Sequence, residues 1–274
     1  MKKSARNIYT PLSFILAILL VSSCKEEIKL PIPDAQKKLV VESEITTETD
    51  SSFVKLTISA DYYSNDPYPK PDDAIIKVNG ISFNNIPGTG IYRPPSPYTG
   101  LKGERYDLEI SRGGKVYTSS AILEPMFRID SLFQVFKPRE GFQREGWSVN
   151  YMGYDSRPKI KYTYFRLGYF DTLVHHDTLQ NFKVLFNNEL GPNNVEYSFE
   201  LPFTRFQKGD ECIMIFRSCE KSMNDFITAY EDQTSNAPGP FHAPPANLPT
   251  NIRGEGVAGY FATYDLVRKR YTIR

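Results

Sequence analysis

Metal and redox chemistry have little to work with in this chain of 274 residues: it holds three histidines, three cysteines and one tryptophan. His175 and His176 are adjacent, with Asp171 and Asp177 close by in sequence. On a strand such neighbours point to opposite faces and cannot share a metal, whereas on a turn they could. Neither a G-x-S-x-G nucleophile turn nor an H-E-x-x-H zinc motif occurs. No excess of either charge stands out, with 33 basic against 32 acidic residues, so the concentrated basic face of a nucleic-acid binder is not expected. Cys212 and Cys219 are separated by the strand-like Ile213-Met-Ile-Phe-Arg217. Seven residues of strand span about 23 Å, and a disulfide needs Cα atoms within about 7 Å, so two separate thiols are expected. No metal or cofactor is expected.

The third cysteine is different. Lys2, Lys3 and Arg6 precede an apolar run from Leu12 to Val21, and Val21-Ser22-Ser23-Cys24 follows. A charged start, a short apolar stretch and small residues before the cut make a secretory signal. The run has about ten residues, half the roughly twenty that a transmembrane helix needs. A cysteine at the cut is what lipoprotein processing requires, so residues 1–23 read as a lipoprotein signal peptide and Cys24 as the lipidated residue. Two or three acyl chains, at about 0.8 kcal/mol per buried methylene, hold a protein on a membrane almost permanently. Loss of the leader removes three basic residues and leaves the mature chain slightly acidic. Lys25-Glu26-Glu27 resembles the surface-export signal of Bacteroidota lipoproteins, which implies an outer-membrane protein facing the medium. Residues 24–36, with Pro31 and Pro33, read as a tether.

Eighteen tyrosines and eighteen phenylalanines favour strands, and twenty prolines with seventeen glycines suit many turns. The fold class expected is mostly β: an N-terminal immunoglobulin-like sandwich over residues 37–124, then a second β-rich domain over residues 125–274 with one amphipathic helix. Strands are predicted at 39–45, 53–58, 74–78, 81–83, 106–110 and 115–118. Asn79-Gly80 and Gly113-Gly114 supply hairpin turns. About seven short strands in 85 residues is the immunoglobulin-like pattern. The second half begins with residues 129–133, further strands are predicted at 147–151, 161–170, 181–186, 195–201 and 211–217, and a closing hairpin at 259–267 and 270–273.

The helix is predicted over about 220–233, where Met223, Phe226, Ile227 and Tyr230 fall at i, i+3, i+4 and i+7. That stripe reads as core, with Ser222 and Asp225 serving the helix start. A proline-rich loop follows over 234–251. Gly254-Glu-Gly256-Val-Ala-Gly259 matches a dinucleotide-binding pattern, but it lacks the preceding strand and following helix that the phosphate site needs. Glycines that bend the chain into its last strand are the better reading. Tyr68 and Tyr98 sit among stiff prolines, and Phe241 and His242 lie in the proline-rich loop. These four are the candidate partner contacts, with ordinary loop packing as the plainer alternative. Asp72-Asp73 reads as a solvated turn.

The order of several motifs carries a family resemblance. Lys38-Leu-Val-Val-Glu42 leads to Ile45-Thr46. Gly90-Ile-Tyr92, Gly103-Glu-Arg-Tyr106 and Tyr164-Phe-Arg166 follow, then the Phe226–Tyr230 helix. Asn251-Ile252-x-Gly254 with Gly259-Tyr260-Phe261 is the most specific element. On these the mature chain resembles a Bacteroidota lipoprotein family, the domain of unknown function numbered forty-two forty-nine. Glu44 and Thr46 stand where that family often reads W-I-T-N. The resemblance implies no catalytic residues. Asn251, Gly254, Gly259, Tyr260 and Phe261 are carried over as structural residues. It implies an accessory encoded near TonB-dependent outer-membrane transporters, serving ligand capture or assembly. A structural or adhesive envelope lipoprotein is the alternative. A hydrolase is the third reading, since a carboxylate pair is set by spatial separation and leaves no spacing to read.

Overall fold

The computed structural model describes residues 36–60, 64, 66–155, 162–170, 179–187, 195–200, 205–235 and 248–274. Cys24, Lys25, Glu26, Glu27, His175, His176, Phe241 and His242 lie outside the described residues. Gln36–Arg274 form one compact unit. Its strands are β1 (Leu39–Thr46), β2 (Phe53–Ile58), β3 (Ile75–Val78), β4 (Ile81–Ile86), β5 (Ile91–Arg93), β6 (Arg105–Arg112), β7 (Lys115–Ile122), β8 (Arg128–Lys137), β9 (Gly146–Asp155), β10 (Tyr162–Phe170), β11 (Leu179–Asn187), β12 (Val195–Glu200) and β13 (Glu211–Cys219). The helix α1 (Lys221–Ser235) comes next, followed by β14 (Val257–Tyr264) and β15 (Leu266–Thr272). No helix among the described residues is long and apolar enough to cross a membrane.

The fold is mostly β with one helix, as expected. Its first eight-stranded sheet runs β14-β1-β2-β5-β4-β3-β6-β7. Period-2 alternation sends Val41 and Ile45, Val54 and Leu56, Ile76 and Val78, and Leu108 and Ile110 to one buried face. Each such side chain contributes about 1.5–3 kcal/mol by leaving water. The immunoglobulin-like detail expected over residues 37–124 is not confirmed by the pairing, because these strands form one continuous ladder. β4 is the reason: Ile81–Phe83 pair with β3, and Asn84–Ile86 pair with β5. One strand thus serves two neighbours and turns the ladder around its core. The short β5 escapes the sequence pattern because three residues are too few to show a period.

The glycine-bearing hairpins form where predicted. Asn79 and Gly80 take φ values of 48° and 79°, and Gly113 and Gly114 take 56° and 74°. These left-handed pairs are what tight two-residue turns require.

The end of the chain corrects the sequence reading. β14 and β15 do not pair as a hairpin. β14 runs parallel to β1, from Leu39↔Val257 to Thr46↔Tyr264, and β15 pairs antiparallel with β13. Only Asp265 lies between the two strands, too little chain to reverse direction, so the chain passes from one sheet directly to another. β14 is packed on both faces, with Phe261 in the large core and Tyr260, Ala262 and Tyr264 against the helix side. A strand covered on both sides reads as continuously apolar. At Gly259, where φ is 99°, a Cβ would run into the Val41 backbone, so the parallel pairing needs glycine there.

A strap of residues 250–253 closes the sheet. The Asn251 side chain donates to Phe261 O at 2.8 Å and accepts from Phe261 N at 3.0 Å, acting as a short extra strand on β14. On the other side Thr118 and Arg253 exchange backbone hydrogen bonds at 3.0 and 2.7 Å. Ser119 Oγ donates to Asn251 O at 2.8 Å. Thr263 Oγ1 of β14 also donates directly to Ile122 O of β7 at 2.8 Å.

The second half stacks the three-stranded sheet β12-β9-β8 on the four-stranded sheet β11-β10-β13-β15. Val149 and Tyr151 of β9 meet Met214 and Phe216 of β13, and the Tyr151 and Phe216 rings meet edge-on at 4.9 Å. Cys212 and Cys219 form no disulfide and are buried, one in each of two separate clusters. Burial pushes the Cys212 thiol up to about 12.

Asp265 joins all these parts. Its carboxylate, 1% exposed, accepts from Thr47 Oγ1 at 3.0 Å, Met126 N at 2.8 Å and Lys102 Nζ at 2.8 Å. Its amide donates to Ser218 Oγ at 2.9 Å, and the same hydroxyl donates to Glu124 O. Beside it Arg268 grips Glu48 through two bonds of 3.0 and 3.1 Å.

Asp265→Ala is expected to lower the unfolding free energy by about 1–3 kcal/mol, because the Met126 amide is left buried without its acceptor. Urea denaturation measures this, and an unchanged midpoint would remove Asp265 from the supports of the fold. A second expectation concerns pH. The hydrogen bond from Arg268 holds the Glu48 carboxyl below its ordinary 4.5. The pair therefore adds stability that is complete above that value and is lost as pH falls through the lower folded value. Being partly exposed, it contributes at most about 1 kcal/mol. Urea midpoints of the wild type and Glu48→Gln should differ at about pH 7 and converge once the pH lies below the lowered folded value of Glu48.

Candidate functional site

A cleft of about 860 Å³ lies between α1 and the outer face of β1 and β14. Its floor follows from the parallel register. Val40 sits beside Ala258, Glu42 beside Tyr260 and Glu44 beside Ala262. Because β1 alternates, these outward residues back onto the buried Leu39, Val41, Ser43 and Ile45. Alanines on either side of Tyr260 leave hollows that larger side chains would fill. The roof is the stripe of α1. Only Ile227 is buried, Met223 and Phe226 are half-buried, and Tyr230 is 44% exposed. The stripe is therefore part core and part cleft wall.

Tyr260 links floor and roof. Its hydroxyl donates to Ser222 Oγ at 2.6 Å, and its ring lies 5.1 Å from that of Phe226. Burial pushes its phenol well above the ordinary tyrosine range, against the opposing effect of that hydrogen bond. Ser222 thus serves Tyr260, where the sequence suggested a role at the helix start. Lys221 and Asp225 instead form an i,i+4 pair at 2.7 Å.

The charges of the floor come in pairs. Glu42 meets Lys55 of β2 at 3.0 Å, and Glu44 meets Arg217 of β13 at 3.0 Å. The Arg217 guanidinium also lies 5.0 Å from the centre of the Tyr264 ring. Glu42 and Glu44 are two residues apart on one strand face, about 7 Å by strand rise, a separation that carboxylates of glycoside hydrolases use. Here each is committed to a cation, Glu42 to one on the neighbouring β2 and Glu44 to one on β13 of the four-stranded sheet. Among the described residues no group of three or more His, Cys, Asp or Glu side chains is placed to hold a metal ion.

A second cleft, of about 660 Å³, is more polar and lies over β3, β6 and β7 beside Arg253. Lys77, Arg105 and Arg253 face Asp107 and Glu109 there, with Arg105 and Asp107 paired at 3.0 Å.

The residues singled out in the sequence scatter. Tyr260 and Gly259 line the first cleft, whereas Asn251 and Phe261 belong to the closing strap. A Cβ at Gly254 would strike the Tyr117 ring. Tyr68 is 61% exposed. Tyr98 is half-buried against the large core, edge-on to Phe83 at 5.9 Å, and burial pushes its phenol up to about 12. Asp72 is bound to the turn after β4, accepting from Gly88 N at 2.6 Å, and Asp73 pairs with Arg112 at 2.6 Å. Sequence reasoning did not find Glu42, Glu44, Arg217, Ala258 or Ala262. The outward Val-x-Glu-x-Glu of β1 was a visible signal, but its partner strand is 218 residues away.

Fold and cleft define a class: a mostly β protein whose bent eight-stranded sheet is strapped nearly closed and roofed outside by one helix. The chain belongs to the family described as "Domain of unknown function (DUF4249)", which it matches over residues 25–270. No curated protein and no solved structure matches it.

The two ion pairs differ in what they carry. Arg217 is 11% exposed in its side chain, and Lys55 is 33% exposed. Glu44→Gln should therefore cost about 1.5–3 kcal/mol, as a charged hydrogen bond in a shielded place does. Glu42→Gln should cost less than about 1 kcal/mol. Chemical denaturation of both variants checks this, and equal losses would contradict the burial argument.

Proposed function

We propose that this protein is a non-catalytic, lipid-anchored lipoprotein of the outer membrane, exposed at the cell surface, that works beside a TonB-dependent transporter in ligand capture or assembly. The anchor rests on the leader and Cys24, the outward orientation on Lys25-Glu26-Glu27, and the transporter on the family resemblance. The observation that carries the binding role is the cleft under α1. It is preformed by elements fixed elsewhere in the fold, its walls are largely apolar, and the two carboxylates of its floor are tied up in ion pairs. Such a concave, mostly apolar site with a few polar groups suits holding a ligand.

One feature favours the adhesive alternative. The β8–β9 hairpin ends in a tight turn, with Glu140 and Gln143 exchanging backbone bonds at 3.2 and 2.9 Å. Phe142 at its apex is fully exposed, and Phe136 below it is 50% exposed. An ordered, uncovered aromatic suits contact with another surface.

Detergent-solubilised outer membrane separates the readings. Affinity capture of the intact lipoprotein should recover a TonB-dependent transporter, and Cys24→Ser should remove the protein from the membrane fraction. Repeated capture of the protein alone would overturn the transporter reading, and retention of Cys24→Ser in the membrane would overturn the anchor.

A further inference from the structure

We infer that the cleft between α1 and β1/β14 takes a small uncharged amphiphile, with an aliphatic or aromatic body and a hydroxyl or amide head. This rests on the reading of the cleft as a binding site and adds the chemical class of the ligand. The size is suitable, since about 860 Å³ falls within the roughly 300–1,000 Å³ of small-molecule sites.

The body of the ligand follows from the walls. Met223 and Phe226 above and Val40 and Ala258 below are only partly buried, so the helix stripe and the strand floor leave apolar surface facing the cleft. Covering it recovers about 25 cal/mol per Å². The alanines on β14 set the depth. A large residue at 258 would meet the roof and close the space.

The head follows from the charges. Both carboxylates of the floor are already met, Glu42 by Lys55 and Glu44 by Arg217, each at 3.0 Å. Lys38 and Glu231 add one charge of each sign to the lining. At Glu42 and Glu44 a charged head would have to compete with a resident cation, the exposed Lys38 offers an anion only a solvated partner, and a desolvated charge without a partner is costly. A hydroxyl or amide meets no such conflict. It can hydrogen-bond to Thr250 Oγ1, which donates to Gly259 O at 2.7 Å and has lone pairs left to accept.

The test uses the compact unit Gln36–Arg274, which contains both walls of the cleft, so that no detergent competes for it. Four probes of one chain length are titrated by calorimetry: octan-1-ol, octanamide, octanoate and octylamine. The two uncharged probes should bind saturably, at least about tenfold tighter than the two charged ones. Ala258→Phe should abolish this binding, as should Met223→Trp from the opposite wall, which keeps the test open where the first variant does not fold. Tighter binding of either charged probe overturns the ligand class, as does binding that survives in both folded variants. If none of the four binds but an extended valine–threonine hexapeptide does, the class is wrong and the binding-site reading stands. If neither probe type binds, both fail together.

Discussion

A single buried carboxylate holds the architecture together. Asp265 is the only residue between a strand of the eight-stranded sheet and a strand of the four-stranded sheet, and its side chain reaches three further segments. Thr47 brings the turn after β1, Met126 the link between β7 and β8, and Lys102 the loop before β6. Ser218 adds the end of β13 through its hydroxyl. Burying a carboxylate is unfavourable unless charge and hydrogen bonds compensate it. Here two donors and an ammonium do so, and the ammonium stays half in water. The site therefore specifies a geometry, because only one arrangement of four chain segments satisfies it.

That junction has consequences at a distance. It sets the end of β14, and the parallel register with β1 then places Glu42, Glu44, Ala258, Tyr260 and Ala262 on one outer face. Helix α1 leaves β13 immediately beyond Cys219 and lies over the same face. The cleft is thus a product of two sheets meeting, and neither sheet has it alone. Such long-range closure is also kinetically demanding, since loop entropy must be overcome before contacts 218 residues apart are gained. The strap of Asn251 to Arg253 makes the closed form specific by lending β14 and β7 hydrogen bonds that sheet edges would otherwise lack.

Much of the fold was legible because alternation and turn chemistry are local. Strands such as β2, β6 and β13 announce themselves through residues two apart, and Asn79-Gly80 through the left-handed backbone it tolerates. The helix stripe was legible for the same reason, at a period of 3.6. The last two strands were not. They look like a hairpin because β14, covered on both faces, has no alternation to betray its neighbour, and β15 follows it directly in sequence. The purpose of the glycine-rich turn is seen only against Val41 and Tyr117, whose backbone and ring occupy the space a Cβ would need. Tyr98 looked like a contact residue because proline-rich surroundings suggest a loop, and its packing against Phe83 depends on a strand fifteen residues earlier.

The sequence by itself determined the fold class, most strand positions, the tight hairpins and the helix, all of which depend on the chemistry of residues a few positions apart. It also carried the charged start, apolar run and Cys24 on which the proposed anchor rests. Only the tertiary structure decided which strands pair across 218 residues, how the ladder turns at β4, and where the cleft lies. Those outcomes depend on side chains that meet only after the chain has closed on itself. Asp265 was one acidic residue among 32 in the sequence, and its role exists only where four segments converge.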